Sequence, residues 1–244
     1  MTPEPSLLNR VSQALLHILL PETCAHCRED LAWNAEDPLC SPCLSKLRWL
    51  EPPHCERCGT PLGGGGRFCF SCRGKTFFCE RIRSALRYEP VLQSCLYRFK
   101  YEGKAKLAGP LGEWMAERFP HFPELRSATL LVPVPLHPHR LRERGFNQAE
   151  LLAQVLSKKL GIPTRTILRR IRPTHPQWNL DRKKRLTNVS DAFEPAQPEK
   201  LQGESVLLID DVATTGSTLE ACAGALRRAK AGKVWAWTLA RQGL

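Results

Sequence analysis

The sequence predicts an α/β protein, a mostly parallel, doubly wound sheet preceded by a small module too poor in apolar residues to hold a core alone. Three observations predict it. From Ile82 onward, short apolar runs alternate with amphipathic segments of helical period, the pattern of βα units. Before residue 73, eight cysteines fall into four Cys-x-x-Cys pairs, and a loop-rich unit of that size needs a staple. Near the C-terminus an unbroken apolar run, Val206 to Ile209, leads into two aspartates, a loop of small hydroxylated residues and a helix. Sheets of this class hold ligands where their strands end.

The elements follow in order. Leu7, Leu8, Val11, Leu15, Ile18 and Leu19 fall at helical spacing, so an amphipathic helix is expected over residues 7–20, ended by Pro21. It packs on a domain or lies on a membrane surface. Ile82 to Tyr88 reads as a strand, Val91 to Phe119 as helix with a break near Gly103, and Thr129 to Val134 as a buried strand. Asn147 to Glu150 has the form of a capping box. It opens a helix with Leu151, Leu152, Val155, Leu156 and Leu160 on one face, stopped at Gly161. Thr166 to Ile171 reads as a strand and the polar, basic stretch from Pro173 to Val189 as a long loop. Ser205 to Ile209 is a core strand. Leu219, Cys222, Ala223 and Leu226 mark a helix, and Lys233 to Leu239 a final strand.

The cysteine pairs are Cys24/Cys27, Cys40/Cys43, Cys55/Cys58 and Cys69/Cys72, separated by gaps of 12, 11 and 10 residues. The stretch from Met1 to Pro21 lacks the form of a secretion signal, and no run reaches the ~18 apolar residues of a membrane span. The chain therefore reads as cytoplasmic, where paired cysteines indicate metal sooner than disulfide. Two knuckles complete one tetrahedral Zn²⁺ site, so four make two structural sites with no open coordination position. Sequential and crossed pairing both satisfy the spacing. An iron–sulfur cluster, a redox dithiol and degenerate knuckles are the rival readings. Cys79, Cys95 and Cys222 read as ordinary buried cysteines.

The stretch Val206 to Thr218 reads as a phosphate cradle. Backbone N–H groups and the positive end of a helix dipole meet an anion, and Thr and Ser hydroxyls add donors. It lacks both the Gly-Lys-Ser/Thr of a P-loop and a Gly-x-Gly-x-x-Gly turn. Asp210 and Asp211 would repel a bare phosphate and suit hydroxyl groups or Mg²⁺, which points to a sugar phosphate.

These thirteen residues resemble the phosphoribosyl pyrophosphate (PRPP) signature of type I phosphoribosyltransferases. The resemblance implies a Rossmann-like core in which Asp210 and Asp211 hold the ribose hydroxyls, and Thr214, Thr215, Gly216, Ser217 and Thr218 hold the 5′-phosphate. Mg²⁺ would accompany PRPP. It also implies a pyrophosphate turn at Val134 and Pro135, with Arg140 or Arg144 nearby, and a hood loop, loosely matched by residues 173–189. Pro133 to His137, Arg140 to Gln148 and Gln177 to Phe193 are similar to the signature of the competence protein ComF family. Together with the knuckles, this likeness covers nearly the whole chain. It implies three parts: an N-terminal helix over 1–20, a double zinc ribbon over 21–79 and a phosphoribosyltransferase-like domain over 80–244. It implies a role in uptake or use of external DNA, handling of single-stranded DNA, a helicase-like uptake partner, and a place at the inner face of the cytoplasmic membrane.

The charge agrees. The chain carries a formal +12, and residues 140–185 hold thirteen cations against three carboxylates, a concentrated basic footprint. Within or beside it, Arg169, Arg170, Arg172, Arg182, Lys183, Lys184 and Arg185 are candidate backbone contacts, and Trp178 a stacking residue. Three functions remain open on the sequence: a DNA-handling protein that binds PRPP, an active phosphoribosyltransferase, and a PRPP sensor. No acceptor site and no general base can be named from it.

Overall fold

The computed structural model describes residues 22–32, 34–172, 192–196 and 201–242. The expected N-terminal helix, Trp178, Arg182, Lys183, Lys184, Arg185 and the loop over 173–189 lie outside the described residues.

Four parallel strands form the sheet in the order β1-β6-β5-β2: β1 (Ile82–Arg87), β2 (Leu130–Pro133), β5 (Val206–Ala213) and β6 (Val234–Arg241). The two central strands, β5 and β6, are almost wholly buried, as a sheet covered on both faces requires. Alternation along β5 assigns its side chains. Leu207 and Ile209 enter the core built with α1 (Pro90–Tyr101), α2 (Ala108–Arg118) and α4 (Gln148–Leu160). Val206 and Leu208 enter the opposite core against α5 (Ser217–Arg228).

α2 and α4 meet closely because Gly112 faces Val155: a Cβ at Gly112 would lie 2.7 Å from Val155 Cβ. α4 starts on Asn147, whose side chain accepts the Ala149 N–H at 3.1 Å, and ends on Gly161 in the left-handed region at φ 69°. That is half of the expected capping box, with the bond falling one residue early.

Three expectations are revised. The expected strand at Thr166 to Ile171 is shorter. As β3 (Leu168–Arg170) it leaves the main sheet and pairs antiparallel with β4 (Phe193–Pro195). The central strand does not stop at Ile209 but runs to Ala213, because β6 continues alongside with Asp210 opposite Thr238 and Val212 opposite Ala240. A helix not expected, α3 (Pro138–Arg144), follows β2. It buries no residue, so it has no apolar stripe to reveal it.

The cysteine-rich segment is docked on the sheet rather than tethered to it. Leu50 N–H donates to Ala85 and Arg87 N–H to Arg48, so residues 48–50 cover the outer edge of β1, which blunts an exposed strand edge. Arg98 donates to the carbonyls of Thr23 and Cys24. Arg83, only 2% exposed, donates to the Cys55 and Ile82 carbonyls and pairs with Glu124 at 2.7 Å. Arg241 donates to Thr60 Oγ1 at 2.7 Å. Removing one partner of a buried ion pair leaves the other uncompensated. Arg83→Met is therefore expected to lower unfolding stability by about 3 kcal/mol, measured by urea denaturation of the zinc-loaded protein.

Candidate metal centres and phosphate site

The sulfurs form two clusters, Cys24, Cys27, Cys40 and Cys43, and Cys55, Cys58, Cys69 and Cys72, each with its sulfurs within 4.8 Å of one another. Pairing of the knuckles is thus sequential. Cys27 and Cys40 Sγ stand 3.5 Å apart, and Cys58 and Cys69 Sγ 3.7 Å. These separations approach the ~3.8 Å edge of a tetrahedron with 2.3 Å zinc–sulfur bonds. Backbone hydrogen bonds ready the thiols. Burial raises the Cys24 pKa, but bonds from the backbone of Cys40, His26 and Cys27 outweigh it and bring the thiol down to about 6. The same balance brings Cys55 down to about 7. Four soft sulfur donors in this arrangement fit Zn²⁺, and each cluster is closed, as structural sites are. Cys79, Cys95 and Cys222 are buried apart from the clusters.

The second site lies where β5 and β2 end. After Ala213 the loop exposes Thr214 and Thr215, and Gly216 opens α5 with φ 80°. A Cβ at Gly216 would meet Ile82 Cδ1 at 2.8 Å, so both conformation and space call for glycine. Gly216, at the N-cap position of α5, makes no side-chain cap bond. Thr215 Oγ1 accepts the Ser217 N–H at 3.3 Å and bonds Ser217 Oγ at 2.8 Å. The result is a ring of donors at a helix N-terminus, the arrangement that binds phosphate.

Because Asp210 and Asp211 ride on the extended strand, their side chains leave opposite faces of the sheet. Asp211, 8% exposed, meets Lys100 Nζ of α1 at 2.7 Å. Asp210 turns toward the other face, where it feels Arg170 and Cys222. Burial, with the Asp211 charge next, pushes the Asp210 pKa up to about 7, although the Asp211 N–H, Lys100 and Arg170 act the other way. Burial works to lower the Lys100 pKa, but Asp211 and Asp210 together raise it, so the ammonium stays charged.

The turn after β2 sits next door. Val134 N–H donates to Ile209 O at 2.9 Å, and Asn147 Nδ2 donates to Val134 O at 3.1 Å, which fixes the turn against β5. A cavity of about 320 Å³ opens beside it, lined by Lys100, Tyr101, Gly103, Arg140, Glu143 and Arg144. Arg144 lies over the Tyr101 ring at 5.1 Å and donates to Gln148 at 2.9 Å. Arg140 pairs with Glu143 at 3.1 Å.

Of the residues singled out in the sequence, the structure gathers Asp210, Asp211 and the 214–218 loop at one strand end, with Val134, Pro135, Arg140 and Arg144 at the neighbouring one. The basic stretch divides. Arg169 is exposed and pairs with Glu194 at 2.6 Å, and Arg172 is exposed. Arg170 instead turns in over the Phe193 ring at 5.4 Å. Lys100 carries no mark in the sequence. It sits in a helix whose apolar period explains its neighbours, and only the fold brings it to Asp211.

A doubly wound parallel sheet with a hydroxyl-rich loop after a di-aspartate strand, joined to two Cys₄ zinc ribbons, defines a phosphoribosyltransferase-fold protein with a zinc-ribbon module. Comparison with known proteins agrees. A family profile described as the double zinc ribbon domain matches residues 15–73, and one described as the phosphoribosyl transferase domain matches residues 147–243. The chain is 32% identical to competence protein F of Haemophilus influenzae, over 89% of this chain and 96% of that one. It is 32% identical to the DNA utilization protein YhgH of Salmonella typhi, over 92% of this chain and 99% of that one. A purine phosphoribosyltransferase structure from Pyrococcus horikoshii matches 55% of this chain and 81% of its own, at 16% identity and a TM-score of 0.32, too low to add to the argument. The chain belongs to the competence protein ComF family. No helix among the described residues is long and apolar enough to cross a membrane.

Two outcomes are expected. Cys24→Ser lowers bound zinc from about two to about one per chain, read by metal analysis of purified protein. Asp210 holds its proton more tightly folded than unfolded, so the native state loses stability as pH rises from about 4 toward about 7. Asp210→Asn removes that loss, so its denaturation midpoint relative to the native sequence is expected to improve between pH 5 and pH 8.

Proposed function

We propose that the β5–α5 loop binds the 5′-phosphate of PRPP or a related phosphoribosyl ligand, and that the protein handles single-stranded DNA during its uptake or use. The observation that carries the ligand is the junction of the donor ring at Thr214–Thr218, the acidic pair and the basic cavity. One sugar diphosphate would satisfy all three. Its 5′-phosphate meets the loop amides, its ribose hydroxyls reach the carboxylates, and its pyrophosphate lies between the Val134 turn and Arg140, Arg144 and Lys100. Mg²⁺, bound with the ligand, would offset the pyrophosphate charge. Lys100 then has a role the sequence did not suggest: it neutralises Asp211 and offers an ammonium at the mouth of the arginine cavity.

The DNA part is supported by the +12 charge and by the names of relatives, competence protein F and DNA utilization protein. It places the protein in the cytoplasm, at the membrane face where an incoming strand arrives, beside a helicase-like partner. The boundaries proposed are a helix to residue 20, the ribbons to 79 and the phosphoribosyltransferase-like domain thereafter.

Titration calorimetry with PRPP and Mg²⁺ tests the ligand. Binding is expected for the native sequence. Gly216→Val places a β-branched residue in the left-handed region against Ile82 and is expected to weaken binding at least ~10-fold, with zinc content unchanged. Absence of heat with the native protein would remove the PRPP reading. Pyrophosphate release on adding a nucleobase or amine would establish the second reading, an active transferase.

A further inference from the structure

A second, larger cavity adjoins the arginine-lined one and shares Lys100 and Tyr101 with it. It measures about 500 Å³ and lies between the first zinc ribbon and α1. The ribbon contributes Ala25, His26 and Arg28, and the helix contributes Gln93, Ser94 and Tyr97. Its walls are held in place. His26 Nδ1 and Ser94 Oγ are hydrogen-bonded at 2.9 Å, and Arg98 fastens the knuckle backbone to α1.

The chemistry here differs from that of its neighbour. Tyr97 and Tyr101 are one helical turn apart, with ring centroids 5.3 Å apart, and are 57% and 60% exposed. Two large aromatic residues left open side by side contribute little to the fold, since exposed rings bury little apolar area. They do offer a face on which a flat heteroaromatic ring can stack. Cations flank this face. Arg144 covers Tyr101 at 5.1 Å on one side, and Arg28, with 64% of its side chain exposed, stands on the ribbon side. The acids nearby are held by other cations as well: Glu102 pairs with Arg98 at 3.2 Å, more closely than with Arg28 at 3.4 Å, and Glu143 pairs with Arg140. Gln93 and Ser94 supply donors and acceptors at the rim. An aromatic platform between cations is the arrangement that takes a base and its flanking phosphates.

We propose that this cavity is a base-stacking site for single-stranded nucleic acid, with a base on Tyr97 and Tyr101 and the adjoining phosphates alongside Arg28 and Arg144. The site reads π-faces rather than base edges and so accepts a strand with little regard to sequence. It rests on the single-strand reading above and assigns that reading a surface among the described residues, on which Tyr97, Tyr101 and Arg28 lie outside the basic stretch that the sequence marked and Arg144 at its start.

The test is fluorescence anisotropy with a labelled oligothymidylate of about 12 nucleotides across a salt series, using the full zinc-loaded chain. Tyr97→Ala and Tyr101→Ala are expected to weaken binding roughly 5- to 100-fold each, with the salt slope unchanged because no cation is lost. Tyr97→Phe and Tyr101→Phe keep the ring and are expected to bind within about twofold of the native sequence. Arg28→Gln is expected to reduce the slope by about 0.7. The tyrosines are exposed, so these variants fold, and zinc content verifies it. If the native protein fails to bind the oligonucleotide even at low salt, the single-strand reading itself falls. If it binds and the alanine variants bind equally well, that reading stands and this site is wrong. Displacement of the strand by micromolar thymidine monophosphate would assign the cavity to a free nucleotide and overturn the strand as occupant.

Discussion

Three arginines hold this protein together in the literal sense that everything else is placed by reference to them. Arg98 reaches from α1 to the backbone of the first ribbon, and Arg83 and Arg241 reach from the sheet to the second. Each donates to carbonyl or hydroxyl oxygens of the ribbon. A guanidinium suits this task because its several fixed donors can serve more than one acceptor at once. Together with the backbone bonds of residues 48–50 and of Arg57 to the sheet, these clamps hold a loop-rich, metal-stapled unit in place. With them the ribbon becomes a wall of the domain, and residues 48–50 close the edge of β1.

The site depends on a second constraint, the pleat. β5 runs four residues past the point where its apolar character ends, and consecutive aspartates on a strand diverge to opposite faces. Asp211 is drawn to Lys100 beneath α1, while Asp210 stays near Arg170 and α5. Two carboxylates that look equivalent on paper thus occupy environments of different charge. Asp211 is paired with the Lys100 ammonium, and Asp210 is pushed toward the neutral form by its burial.

Much of this was legible from sequence, for reasons that can be stated. The cysteine spacing marked two metal sites, and the 206–218 stretch marked the candidate ligand site because strand, acids, loop and helix are contiguous there. Helix α4 announced itself through its apolar period, Asn147 and Gly161. What escaped had no local signature. α3 has no buried face, although Pro138 at its first position and Gly145 just past its end are helix-boundary residues that would have marked it. The last four residues of β5 read as loop because two are charged, and only the pairing with β6 makes them strand. Lys100, and the arginines of the clamp, looked like ordinary surface charge, since their partners lie 74 to 181 residues away in the chain for Arg98 and Arg241.

The docking of the first ribbon has a wider meaning for how this protein responds to its surroundings. Cys24 is at once a metal ligand and the residue whose carbonyl Arg98 grips, and its neighbours Ala25 and His26 form one side of the larger cavity. A ribbon of this kind keeps its shape only while its ion is present. The geometry of the cavity is therefore inherited from the supply of a trace element. A cell short of zinc would make the same polypeptide with the same sheet sequence, but with one wall of this cavity missing.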